Sequence, residues 1–184
     1  KTWLKNALLR RELDSYHLWI KRNEPGKEER DRQCALLQSF AYKPLISIIT
    51  PVYDPPPSFL KEAIESVRAQ TYDHWEFCLV DGGSRNEKIR KILEDYRQRD
   101  RRIRIKFLEK NLGISGNTNE ALKMASGEFI AFLDHDDLVA PNMLYEVVNT
   151  INKNPEVDII YFDEDKISPK GKRMSPFFKP HQFS

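Results

Sequence analysis

The chain has 184 residues, 30 Lys and Arg against 28 Asp and Glu, a formal net charge of +2, and 40% hydrophobic and 11% aromatic residues. That length supports one full-sized domain with a short appendage, and the composition excludes wholesale disorder, a collagen-like chain and a disulfide mini-protein. Nearly balanced charge argues against a nucleic-acid partner, and two cysteines, Cys34 and Cys78, form neither a metal-ligand pattern nor a disulfide framework, which points to a reduced, cytoplasmic setting. Apolar runs are strand-sized, well below the ~20 residues a spanning helix needs. A start at Lys1 without Met reads as an N-terminal fragment of a longer protein.

In chain order, Leu9, Leu13, Tyr16 and Ile20 recur at steps of four, three and four, which predicts an amphipathic helix over residues 3–20. Its basic residues suit either a membrane surface or the outer face of a docked helix, and docking is the expectation. Asn23 to Gly26 break it, and residues 27–40 read as a second, charged helix. Residues 1–43 are therefore expected to be a helical appendage, with the main domain over 44–184. From Leu45 onward, β-branched runs alternate with helical periodicity, the signature of βα units on a mostly parallel sheet. Strands are expected at 45–50, 75–80, 103–108, 128–133 and 157–162. Leu60, Ala63, Ile64 and Val67 mark one helix, and Ile89, Ile92, Leu93 and Tyr96 another. A third helix is expected over about 117–125, closed by a left-handed Gly127, and a fourth from Pro141 to about Lys153.

The unusual residues gather at the expected strand ends: Pro51-Val52-Tyr53, Asp81, Asp134-His135-Asp136-Asp137 and Asp163-Glu164-Asp165. In open α/β sheets ligands bind outside the carboxyl ends of the strands, so these groups are expected to face one crevice. Asp134 and Asp136, one residue apart, would share a side in an extended segment and suit a hard divalent ion, or else cap a turn. Pro51 and Tyr53 offer a wall for a flat base, though a stiff proline-rich loop explains them equally. Residues 111–119, rich in small and amide side chains, lead into a helix whose free N–H groups could meet a ligand, but no Walker A or dinucleotide fingerprint is present.

PLISIITPVYD, LVDGGS, NLGISGNTNEAL and GEFIAFLDHDDLVAP occur in the order and spacing of family 2 nucleotide-sugar glycosyltransferases, which the chain resembles over about residues 43–167. YFDEDKISPKGKRMSPFFKP resembles the rhamnosyltransferase-like subgroup that builds bacterial surface polysaccharides. The resemblance implies a GT-A fold, a UDP- or dTDP-linked sugar donor held with Mg²⁺ or Mn²⁺, transfer with inversion, and a glycan or lipid-linked acceptor. It also implies peripheral association of the parent protein with the inner face of the membrane. Carried over by position, donor binding falls to Pro51, Val52, Tyr53, Asp81, Gly113, Ser115, Asn119, Asp134 and His135, and metal binding to Asp136 with Asp134 as a second candidate. Asp81 would accept from a pyrimidine N3–H, unless it only caps the turn through Gly82, Gly83 and Ser84. The chain departs from the family pattern at Gly82, usually Asp, and at Thr118, often Arg. Asp163, Glu164 and Asp165 are the weak candidates for the catalytic base, which the family usually places further on, together with the acceptor-binding part. A phosphatase of the haloacid dehalogenase type fits poorly, because the D-x-D follows the fourth strand and Leu138 stands where Thr or Val belongs. A non-catalytic nucleotide-sugar-binding module or scaffold is the rival from another class.

Overall fold

The computed structural model describes residues 15–168 and 171–180. The chain divides into two compact units, one formed by residues up to Asp31 together with those from Glu156 onward, the other by Arg32–Pro155.

The larger unit is built on a four-stranded, all-parallel sheet in the order β3-β2-β1-β4, with β1 at Ile46–Val52, β2 at Trp75–Asp81, β3 at Ile103–Phe107 and β4 at Phe129–Phe132. Helices α3 (Pro57–Arg68), α4 (Glu87–Arg99), α5 (Gly113–Leu122) and α6 (Met143–Lys153) connect or follow the strands, and α2 (Lys27–Leu36) with a 3₁₀ turn precedes them. β1 and β2 are the central strands and are covered on both faces, so apolar residues face both sides of each, with Ser47, Thr50, Glu76 and Asp81 as buried polar exceptions. β3 and β4 are edges, and there burial alternates.

All four periodic positions of α3 (Leu60, Ala63, Ile64, Val67) and of α4 (Ile89, Ile92, Leu93, Tyr96) are buried, as the spacing requires. Pro57 opens α3 and the Asn86 side chain caps α4 by accepting from Lys88 N at 3.1 Å. α5 lies on β1 and β2, where Ala121 meets Ile49, Cys78 and Val80. α6 is tied to the end of α3 through Gln70, whose Oε1 accepts from Leu144 N (3.0 Å) and whose Nε2 donates to Ala140 O (2.7 Å).

Three local expectations change. α5 starts at Gly113 and ends at Leu122, four residues earlier at its start than the periodicity suggests, because Asn111 before it and Asn117 within it accept from the Gly113 and Leu112 amides. Gly127 is not left-handed; a Cβ there would lie 2.5 Å from Leu45 O, so close approach to β1 is what demands glycine. Residues 157–162 belong to no strand, Ile159 is exposed, and no fifth parallel strand forms among the described residues. An apolar, β-branched run is a tendency towards a strand, not a pairing.

In the smaller unit, β5 (Glu164–Ile167) and β6 (Arg173–Phe177) form an antiparallel hairpin closed by a turn with Gly171 at φ +74°. Residues 15–23 are helical (α1), and the rest of the expected helix over 3–20 lies outside the described residues. α1 and the hairpin are joined by one network: Tyr16 OH donates to Asp165 Oδ2 (2.6 Å), and Arg173 reaches both Asp165 (2.6 Å) and Glu24 (2.6 Å). Burial first, and then the Asp165 carboxylate beside it, push the Tyr16 hydroxyl up to about 12. Trp19 packs edge-on against Phe178. Asp165→Ala leaves the Tyr16 hydroxyl without its acceptor and Arg173 with Glu24 alone, and should cost this unit ~1–3 kcal/mol. Hydrogen exchange of the hairpin amides checks this: faster exchange confined to residues 164–177 and α1 is the expected pattern, and unchanged exchange would dismiss the network as a stabiliser.

Candidate donor site at the strand ends

The chain passes from β1 through β2 to β3 on one side of the sheet and then returns to place β4 on the other side of β1. The order therefore reverses at β1, and the loops after β1 and β4 part there, leaving the crevice that open parallel sheets use for ligands. The residues at this edge all belong to the larger unit.

After β1 the chain turns sharply at Asp54, which holds a left-handed conformation (φ +45°) beside the exposed ring of Tyr53. The Asp54 carboxylate accepts from Arg85 N and Nε (both 2.8 Å) and from Asn86 N (3.1 Å). The Arg85 side chain, with the Asn86 and Arg85 amides, holds the carboxyl of Asp54 below the usual range. The Asp54 amide in turn donates to Ser84 Oγ at 2.9 Å.

Asp81 ends β2 opposite Val52 and is only 4% exposed. Its Oδ1 accepts from both Ser84 N (3.1 Å) and Ser84 Oγ (2.5 Å), around a turn in which Gly83 has φ +76°. Asp81 thus does cap its turn. Oδ2 has no hydrogen-bond or ion-pair partner among the described residues and is the atom left for a ligand. In the sequence Ser84 and Asp54 stand out only as turn residues, and a serine three residues after Asp81 is the signal for the turn.

The D-x-D segment is not extended. Asp137 N donates to Asp134 O (3.2 Å), closing a turn, while Thr50 Oγ1 donates to Leu133 O (2.6 Å) and His135 donates through Nδ1 to Pro51 O (3.0 Å). His135 is therefore an anchor between the β4 and β1 loops. Asp134 and Asp136 are exposed, and no hydrogen bond or ion pair engages either carboxylate among the described residues. No group of three or more His, Cys, Asp or Glu suited to a metal occurs among those residues. Two unpaired carboxylates still fit a hard ion that takes the rest of its ligands from water and substrate phosphates, as Mg²⁺ does, rather than from a protein cage.

Gly113 begins α5 with φ +77°, and Ser115 and Asn119 follow exposed on its first two turns. Asn111 Oδ1 accepts from Gly113 N (2.9 Å) and Asn117 Oδ1 from Leu112 N (3.2 Å), so the helix start is capped from within. Asn111 and Asn117 were not singled out from the sequence.

In the smaller unit, all three acids of the 163–165 cluster are engaged. Asp163 Oδ1 accepts from Lys179 N (2.7 Å), Glu164 pairs with Lys179 Nζ (3.0 Å), and Asp165 holds Tyr16 and Arg173. No described helix is long and apolar enough to cross a membrane.

A sequence profile described as Glycosyl transferase family 2 matches residues 47–183. The O-antigen biosynthesis protein RfbC of Myxococcus xanthus is 34% identical over 91% of this chain, and an uncharacterized protein, y4gI, of Sinorhizobium fredii is 45% identical over 81%. The chain spans only 13% and 16% of those two proteins' own lengths. Among solved structures, S. aureus TarS with UDP-GlcNAc superimposes with a TM-score of 0.55 and 29% identity, over 60% of this chain and 32% of that one. A mannosyltransferase, PcManGT from Pyrobaculum calidifontis, with GDP-Man and Mn²⁺, shares the fold at a TM-score of 0.55 and 19% identity, over 76% of this chain and 42% of that one. The architecture is the GT-A type these glycosyltransferases share.

Proposed function

This chain belongs to glycosyl transferase family 2, and from that premise we propose that its larger unit binds the nucleotide-diphosphate sugar of a glycosyltransferase acting in bacterial surface-polysaccharide synthesis. The observation that carries the reading is the convergence of Tyr53, Asp81 and the Asp134–Asp137 turn at the edge where the strand order reverses. TarS with UDP-GlcNAc and the polysaccharide-pathway relatives, RfbC and the teichuronic acid protein TuaG of Bacillus subtilis, support the donor class and the setting.

In this reading Asp81 Oδ2 accepts the N3–H of uracil or thymine, Tyr53 lies against the base and Asp134 faces the ribose. Gly113, Ser115 and Asn119 close over the diphosphate and sugar from the start of α5. Asp136, with Asp134 beside it, would hold Mg²⁺ or Mn²⁺, which when bound neutralises charge on the diphosphate leaving group. Transfer with inversion needs a base to take the proton of the acceptor hydroxyl. Asp163, Glu164 and Asp165 are each paired already, which favours a structural role for them and a base supplied elsewhere. The same pairing favours, as a second reading, a chain that binds donor without turning it over. Sugar transfer by the full-length parent protein separates the two.

Thermal unfolding with uridine diphosphate tests the site. At ten times Kd the ligand stabilises by ~1.4 kcal/mol, which for a chain of this size is a midpoint rise of roughly 3–6 °C. Asp136→Asn should remove the part of that rise that depends on Mn²⁺. A folded Asp136→Asn protein with the full Mn²⁺-dependent rise would place the metal on other residues.

A further inference from the structure

The two loops that frame Asp81 are held together by a fit between a missing side chain and a buried amide. Gly82 is buried and is not left-handed, so backbone conformation does not explain it. Space does: a Cβ at residue 82 would lie 2.4 Å from Asn117 Nδ2 and 3.2 Å from Asn111 Oδ1.

Asn117 has nowhere to retreat. It is 2% exposed, its Nδ2 donates to Asn111 Oδ1 (2.9 Å) and its Oδ1 accepts from Leu112 N (3.2 Å). Asn111 Oδ1 also accepts from Gly113 N (2.9 Å), so displacing the Asn117 amide would disturb the capping of two consecutive backbone N–H groups at the start of α5. On the other side, Gly82 N donates to Val52 O (2.8 Å) and Leu108 N to Asp81 O (2.8 Å). A push at residue 82 is therefore transmitted in two directions, to the orientation of Asp81 and to the lead-in of α5.

We infer that Gly82 and Asn117 form one positioning device that fixes Asp81 for base recognition and sets the start of α5 over the donor. The inference rests on the donor-site reading above. Neither residue touches the base in it; the amide of Asn117 fills the place that a side chain at residue 82 would take, and its hydrogen bonds hold only in that packing. The departure from the family's Asp at residue 82 is then paired with Asn117 rather than being a simple loss. A carboxylate at residue 82 would have to expel a buried amide.

Calorimetric titration of the 184-residue chain with uridine and adenosine diphosphates, both with Mn²⁺, tests it on the wild type, Gly82→Ala, Asn117→Ala and the double variant. Gly82→Ala should lower the uridine-to-adenosine affinity ratio about tenfold, within the range for coupling between residues in contact. In the double variant the new methyl group enters space that Asn117 has vacated, so the ratio should be no lower than in Asn117→Ala alone. Ile151→Val, a core change in α6, serves as the control and should lower stability without moving the ratio. An unchanged ratio in Gly82→Ala, or two losses that simply add, overturns the interlock. Should Gly82→Ala not fold, Asn117→Ala decides: a lowered ratio upholds the inference and an unchanged one ends it. A wild type that binds neither diphosphate, or both equally, defeats the donor reading itself, and that failure is seen before any variant is made.

Discussion

Replacing Asp81 by asparagine should abolish a preference for uridine over adenosine diphosphate that in the wild type is about tenfold to hundredfold. The magnitude follows from the ~1–3 kcal/mol cost of leaving a buried polar group facing the wrong partner. Asp81 is 4% exposed, and its Oδ1 is already used by Ser84 N and Oγ, so only Oδ2 is offered to a base. Uracil and thymine present N3–H to that atom, whereas adenine presents the lone pair of N1. Asparagine keeps an oxygen for the Ser84 turn and turns the outward atom into a donor, which removes the favourable bond to uracil and relieves the repulsion with adenine. The ratio should therefore fall to near one. Alanine is the weaker test, since it loses the turn cap and the base acceptor together. If Asp81→Asn folds and keeps the wild-type ratio, the carboxylate is a turn cap alone, and the pyrimidine-linked donor loses its main support.

That ambiguity shows how far the residues could be read in advance. The spacing of Leu60, Ala63, Ile64 and Val67 is helical, and the apolar run Phe77–Val80 in β2 is that of a strand covered on both faces, so sheet and helices follow from local pattern. The edge carrying the site follows too, because Asp81 and Asp134 stand directly after strands and parallel strands send their carboxyl ends to one side. What could not be read depends on partners distant in sequence. The turn at Asp134–Asp137 is anchored by Pro51 and Thr50, more than eighty residues away, and a D-x-D triplet by itself does not say whether it is extended or turned. Likewise the start of α5 depends on the Asn111 and Asn117 amides, which look like ordinary loop residues until Gly82 is placed beside them. Residues 157–162 illustrate the opposite error: strand-like composition is a tendency, and no strand forms there.

The largest stability effect should come from the opposite end of the sheet, at Glu76. This carboxylate lies near the start of β2, a strand buried along its whole length, yet it is fully hydrogen-bonded: Oε1 accepts from Ser47 Oγ (2.6 Å), Ser126 N (2.5 Å) and Ser126 Oγ (3.0 Å), and Oε2 from Arg104 (2.7 Å). Ser47 Oγ also accepts from Gly127 N (2.8 Å), so Glu76 completes the hydrogen bonds that bring residues 126–127 close against β1, where a Cβ on Gly127 would not fit. Burial alone would raise its carboxyl; the bonds from Ser47, Arg104 and Ser126 outweigh that and bring it down to about 2. A carboxyl held lower in the folded chain than in the unfolded one adds stability above the unfolded value near 4.5, and that stability is lost as pH falls from there towards about 2. Glu76→Ala leaves two serine hydroxyls and the Ser126 amide without their acceptor and should cost ~3 kcal/mol at neutral pH, a fall of roughly 6–12 °C in Tm. Because Arg104 is half-exposed it can turn to water, which keeps the loss below that of a fully buried ion pair. The two effects are separable: the gap in stability between wild type and Glu76→Ala should be constant from pH 7 to 5 and narrow steadily below 4.5. Denaturant titrations across that range measure it. A gap that stays the same width down to pH 2.5 would mean that Glu76 acts through packing and not through its charge.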